Sequence, residues 1–174
     1  TFMGCTGLTS VTIGNSVTSI GDIAFRDCNN LKSIIIPNKV TSIGEEAFRD
    51  CNNLKSIIIP DSVETIGNNA FRESTSLTSV TIGNKVTSIG DIAFMGCTGL
   101  TSIIIPDSVT SIGGGAFNGC TSLTSVTIGN KVTSIGVDAF MGCTGLTSVT
   151  FEKGFEMTDL TVKENVFLDC HKLE

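Results

Sequence analysis

Apolar residues occur in short bursts at fixed intervals, never in long runs. Leu8, Leu31, Leu54, Leu77, Leu100, Leu123 and Leu146 are each separated by 23 residues, and Phe2, Phe25, Phe48, Phe71, Phe94, Phe117 and Phe140 keep the same interval. Two ladders in one register define a structural repeat, and periods of this length mark stacked, quasi-one-dimensional folds. A full unit reads LTSVTIGNKVTSIGDIAFMGCTG, from Leu77 to Gly99. Its segment from Leu77 to Ile82 alternates Thr and Ser with β-branched residues and ends at Gly83, where other units carry Pro37, Pro60 or Pro106. This pattern predicts a short strand closed by a turn. Val86 to Ile89, ended by Gly90, predicts a second short strand on another side of the coil. The stretch after that Gly opens with residues such as Asp91 or the pair Glu45 and Glu46. Acidic residues suit a helix N-terminus, so a helical turn is predicted there.

Stacking these units gives an elongated, β-rich solenoid. Leu77, Val80, Ile82, Val86, Ile89, Ala93, Phe94 and Cys97, with their equivalents, point inward and repeat at the ~4.8 Å spacing of neighbouring strands. Residues 1–7 end a truncated repeat, residues 8–145 hold six full repeats, and residues 146–174 form a divergent one. In that last unit Phe167 comes 27 residues after Phe140, which signals an insertion of four. Neither end shows a polar cap, so the core edges beside Leu8 and Phe167 are expected to be open to end-to-end homo-association. The closing Leu173-Glu174 fits either a repeat Leu after Cys170 or a cloning remnant.

Charge and composition narrow the partners. The formal net charge is −6, and residues 151–174 supply half of it. No positive surface exists to release counterions from nucleic acid, which removes that class of partner. No run of 18 apolar residues is present, so no membrane-inserted helix is expected. A leader peptide is absent from these residues, but the chain opens at Thr1 within a repeat, so a leader removed or lying outside these residues is compatible with it and its absence says little about export.

The pattern L-x-S-[VI]-x-I-[GP]-x-x-V-x-[ST]-I-G-x-x-A-F-x-x-C, seen from Leu100 as LTSIIIPDSVTSIGGGAFNGC, resembles the BspA-like class of leucine-rich repeat proteins. The resemblance covers almost the whole chain. It departs at Ser74, where the other units have Cys, and between Phe151 and Phe167, where the pattern is weak. It implies a right-handed leucine-rich repeat coil. It also implies a secreted or cell-surface protein of a host-associated bacterium or anaerobic protist, with a role in adhesion to extracellular matrix proteins, host cells or other microbes.

Candidate chemistry is sparse. Cys5, Cys28, Cys51, Cys97, Cys120, Cys143 and Cys170 form a ladder of odd count. Stacking at ~4.8 Å exceeds the ~3.5–4.5 Å between Cβ atoms that a disulfide prefers, and the spacing matches no C-x-x-C metal site. Buried free thiols are the expectation. His171 is the only His and sits at a variable turn position, so it reads as a surface residue rather than a catalytic base. The Ser ladder has no base beside it, and a nucleophile is needed once, not in every repeat. No enzyme activity, cofactor or metal is expected. Arg26, Arg49 and Arg72, followed by Asp27, Asp50 and Glu73, read as a solvated face of weak ion pairs.

A binding face is better supported. With Leu, Val and Ile of L-x-S-V-x-I turned inward, the residues flanking the Val project outward. The candidate ligand face comprises Lys32, Ser33, Ile35, Lys55, Ser56, Ile58, Ser79, Thr81, Ser102 and Ile104. Adjacent outward Ile residues framed by hydroxyls and Lys suit an extended protein or glycan ligand, although β-branched residues also favour strands for their own sake. The expected function is therefore a non-enzymatic surface segment that binds extracellular matrix or cell-surface proteins or glycans. The alternative is a structural spacer that extends another domain from the cell, suggested by the duplicated RDCNNLKSIIIP at 26–37 and 49–60.

Overall fold

Alternating Ser or Thr with Val or Ile builds one strand at the start of each repeat, and a second, shorter one follows after the turn. In the computed structural model, which describes residues 1–173, the first set is β1 (Ser10–Thr12), β3 (Ser33–Ile35), β5 (Ser56–Ile58), β7 (Ser79–Thr81), β9 (Ser102–Ile105), β11 (Ser125–Ile128) and β13 (Ser148–Phe151). The second set is β2 (Ser19–Ile20), β4 (Ser42–Ile43), β6 (Thr65–Ile66), β8 (Ser88–Ile89), β10 (Ser111–Ile112), β12 (Ser134–Ile135) and β14 (Thr161–Val162). All pairings are parallel and join each residue to its equivalent one repeat away, as in Ser56 with Ser79 and Ile57 with Val80. The second set forms a continuous seven-stranded sheet. In the first set the ladder is interrupted between β3 and β5 and between β7 and β9, although these strands still lie side by side. Glu174, and with it the question of the closing dipeptide, lies outside the described residues.

The strands are shorter than the sequence pattern predicts. Leu77 and Val86 face the core but sit in turns, where their amides donate to the carbonyls of Ser74 and Gly83. The Gly ending the second strand is required by close approach: a Cβ at Gly67 would lie 2.6 Å from the carbonyl carbon of Gly44 one repeat below.

The third side of the coil corrects the expected helical turn. Some of its amides close short turns within the repeat, as Arg49 N–H does onto Glu46 O, but others bond to the next repeat. Phe48 N–H donates to Ala70 O, Phe71 N–H to Ala93 O and Phe94 N–H to Ala116 O, each at 2.7 Å. The backbone also enters the left-handed region twice per repeat. One column is Ile23, Glu46, Asn69, Ile92, Gly115, Asp138 and Asn165; the other is Gly4, Asp27, Asp50, Glu73, Gly96, Gly119, Gly142 and Asp169. A helix tolerates neither feature. The only helical element among the described residues is a 3-10 turn at Met157–Asp159, inside the extra residues. Those residues fall between Phe151, which still pairs with Ile128, and Thr161, which pairs with Ser134.

The core is a set of parallel columns. Phe48, Phe71, Phe94, Phe117 and Phe140 are fully buried, and successive rings along the stack from Phe2 to Phe140 lie 5.0–5.4 Å apart and within 9° of parallel. Beyond the insertion the stack loosens to 5.6 Å and 12° between Phe140 and Phe167. At the first repeat the columns open: Phe2 is 46% exposed, and Leu8, Val11, Ile13 and Val17 are only half-buried. One repeat cannot bury such a face alone.

Candidate functional site

The outward face of the first strand set carries two columns, one on each side of the inward Val or Ile. Alternation makes this obligatory, since neighbouring residues of a strand point to opposite faces. Ser33, Ser56, Ser79 and Ser102 are exposed in one column. The other holds Ile35 at 80%, Ile58 at 68% and Ile104 at 65% exposure, with Thr81 between them. Lys32 and Lys55 stand exposed beside the Ser column and make no ion pair among the described residues.

Hydroxyls on this surface fall into two kinds. Thr78, Thr101, Thr124 and Thr147 each donate from Oγ1 to the carbonyl one repeat below, at 3.0–3.5 Å. Thr41, Thr87, Thr110 and Thr133 do the same next to the second strands, at 3.1–3.3 Å. Those hydroxyls are spent on holding the stack. Ser33, Ser56, Ser79, Ser102 and Thr81 make no side-chain hydrogen bond among the described residues. They present free donors and acceptors next to apolar Ile.

Two adjoining depressions mark the middle of the face. One, of about 520 Å³, is lined by Ile58, Thr81, Asn84 and Lys85 among others. The other, of about 430 Å³, is lined by Ser79, Thr81, Ser102, Ile104 and Glu152. Thus Ile58, Ser79, Thr81, Ser102 and Ile104 share one furrow, whereas Lys32, Ser33, Ile35, Lys55 and Ser56 lie on the same face outside it. Asn84, Lys85 and Glu152 were not anticipated. They come from turns following the strand, which no alternation pattern places.

The Cys ladder has a structural task. Cys51 Sγ donates to Phe25 O, Cys97 to Phe71 O, Cys120 to Phe94 O and Cys143 to Phe117 O, at 3.1–3.2 Å. Ser74 Oγ donates in the same way to Phe48 O at 2.9 Å. The position asks for a small side chain with one donor, which explains the exchange. Burial pushes the thiols of Cys51, Cys97 and Cys143 up to about 12 and that of Cys120 well above its ordinary value. Such groups stay protonated and unreactive. His171 is exposed, with Nε2 4.0 Å from Asp169 Oδ1, while neighbouring Cys170 is buried and donates to Phe140 O.

The Arg column is more ordered than a solvated face. Glu46 accepts from both Arg26 Nη1 at 2.7 Å and Arg49 Nη1 at 2.8 Å, and all three side chains are mostly covered. The signal lay 20 residues from Arg26, across a repeat. Arg72 lacks this bridge, because Asn69 and Ile92 stand where Glu46 would be needed.

The chain matches the BspA type leucine rich repeat region in six copies, over residues 1–91 and 41–174. No curated protein matches it. Among solved structures, a leucine rich repeat protein of T. pallidum superposes with a TM-score of 0.88 at 28% identity, covering 95% of this chain and 78% of that one. A leucine rich cell surface protein of Faecalibacterium prausnitzii gives 0.70 at 30% identity, covering 87% of this chain but only 49% of that protein. A leucine-rich repeat protein of Eubacterium ventriosum gives 0.64 at 25% identity, covering 99% and 67%. These matches are to a repeat scaffold, not to an enzyme family. No helix among the described residues is long and apolar enough to cross a membrane.

Proposed function

The chain belongs to the BspA-type leucine-rich repeat family, and from that premise we propose that it is a non-enzymatic binding segment displayed at the cell surface, which engages matrix or cell-surface proteins or glycans through its outer strand face. The observation that carries this reading is the division of hydroxyls. Those of the flanking Thr columns are consumed by the stack, whereas Ser33, Ser56, Ser79, Ser102 and Thr81 stand free beside Ile35, Ile58 and Ile104. Exposed apolar groups that contribute nothing to the core, set among unspent polar groups, are what a contact surface needs. The surface description of the Faecalibacterium protein supports the location.

Ile35→Asp combined with Ile58→Asp should weaken binding to a captured ligand about tenfold or more, the loss of a contact worth ~1.4 kcal/mol. The circular dichroism spectrum should be retained, since both side chains are exposed. Undiminished affinity in a folded double variant would remove the Ile column from the site. A milder pair, Ile35→Thr with Ile58→Thr, uses the residue already present at Thr81 and guards against loss of the strand.

A further inference from the structure

The duplicated stretch LKSIIIP, at 31–37 and 54–60, changes two columns of the strand face together. Lys32 and Lys55 stand where the five other repeats carry Thr, and Ile35 and Ile58 where four of those five carry Thr. All four side chains are exposed, and neither lysine makes an ion pair among the described residues. The charge around them has one sign. In every repeat the residues equivalent to 28–36 include no Asp or Glu, and Lys32 and Lys55 are the only charged residues there, on a chain of net charge −6. The acids that border this band are engaged elsewhere. Asp50 is paired with Arg49 at 3.2 Å, and Asp61, past the turn at Pro60, accepts from Asn84 N–H at 2.7 Å.

Spacing narrows what fits such a surface. The Lys and Ile columns are three residues apart along the strand, about 10 Å, which matches the ~10–12 Å width of an α-helix with its side chains. Along the coil, the Phe48 and Phe71 rings of the same two repeats lie 5.2 Å apart, close to the helix pitch of ~5.4 Å. A helix laid along the coil axis therefore sets one turn against each repeat. An extended chain presents same-face side chains every ~6.7 Å and loses register within two repeats. A sugar finds no aromatic ring to stack on, because the chain has no Trp or Tyr and the outward columns of these strands carry no Phe.

We infer, granting the strand face as the binding surface, that these two repeats receive an amphipathic α-helix of a partner protein, with an acidic row along one edge of its apolar stripe. The stripe packs on Ile35 and Ile58, and the acidic row meets Lys32 and Lys55. Such a stripe recurs at every third or fourth residue of a helix and is a common mode of peptide recognition. Free lysines pair an incoming carboxylate without giving up an existing partner. They also set the orientation of the helix and turn away a basic one, since charge complementarity governs specificity more than affinity. Ser33 and Ser56, whose hydroxyls are unspent, lie between the two columns and stay compatible with a polar helix backbone edge.

The probe is the blocked peptide acetyl-(Glu-Leu-Ala-Glu-Leu-Gln-Ala)3-amide, whose Leu residues form one helical stripe and whose Glu residues flank a single edge of it. Titrated into the whole chain with labelled Ile methyl groups, it should shift the Ile35 and Ile58 signals saturably and leave that of buried Ile89 in place. The same peptide with Gln for every Glu should bind about tenfold more weakly, and added salt should narrow the difference. Lys32→Glu with Lys55→Glu, both at exposed positions, should reverse the preference toward a peptide with Lys for every Glu. Unmoved Ile35 and Ile58 methyls, equal affinity for the Glu and Gln peptides, or an unchanged preference in the charge-reversed variant would each overturn the helix as occupant. Saturable shifts with a heparin fragment and none with the helix would overturn it too, and assign the face to a glycan. If a matrix protein binds through Ile35 and Ile58 while the helix does not, the strand face stands as a binding surface and the helix alone falls.

Discussion

Phe71→Ala should destabilise the chain by about 3 to 5 kcal/mol, through lost burial and the cavity left behind, and lower its melting temperature by roughly 6 to 20 °C for a chain of this size. Phe71 is fully buried between Phe48 at 5.2 Å and Phe94 at 5.0 Å, with rings within 5° of parallel. Its loss interrupts the column in the middle, and in a one-dimensional array each repeat is stabilised by its neighbours alone. The transition should therefore broaden as well as shift, as the two halves lose their coupling. Arg72→Ala is the matched control, since Arg72 is next in sequence, only half-buried and without an ion pair among the described residues. It should cost well under half as much. Equal losses in thermal melts of the two variants would contradict the inside-outside assignment.

Alkali should unfold the protein in a defined window. Desolvation holds the thiols of Cys51, Cys97 and Cys143 at about 12 against an ordinary value of 9.0. A raised value means that the folded state keeps a proton that the unfolded chain has lost. Stability from this source is thus intact below pH 9 and falls as pH rises toward 12, by about 1.4 kcal/mol per pH unit for each such thiol. With Cys120, which burial also raises, these thiols together remove a large part of a typical total of about 5 to 15 kcal/mol. Urea unfolding at pH 8, 9, 10 and 11 should show this decline. Cys97→Ser should reduce its slope by about one thiol while changing neutral stability little, because Ser74 already performs the same donation. Constant stability up to pH 11 would contradict burial of the thiols.

The Leu, Phe and Cys columns were readable from the chain because a repeat imposes its period on every inward position. The strands were readable in place but not in length, because the turns at Leu77 and Val86 bury apolar residues as well as strands do. The third side was misread as helical for a physical reason: Asp, Glu and Ala after a Gly favour a helix locally, yet the left-handed residues and the bonds from Phe to Ala one repeat on are decided between repeats. A trace was present in the alternation of Gly4, Asp27, Asp50, Glu73, Gly96, Gly119, Gly142 and Asp169, since Gly and Asp are among the residues that adopt positive φ most readily. On the candidate face, alternation identified the outward residues, but a sequence cannot tell a Thr hydroxyl that bonds the repeat below, as Thr78 does, from one left free, as Thr81 is. The bridge at Glu46 joins residues of two repeats, 20 positions apart in the chain, and no local pattern encodes it.

Whether the strand face binds at all separates a ligand-binding segment from a spacer. The direct measurement is surface plasmon resonance of the isolated chain, at micromolar concentration, over a panel of immobilised matrix proteins and glycans. Saturable binding to at least one member, reduced by Ile35→Asp with Ile58→Asp, is the predicted result; a blank panel, or binding indifferent to those two substitutions, would contradict it.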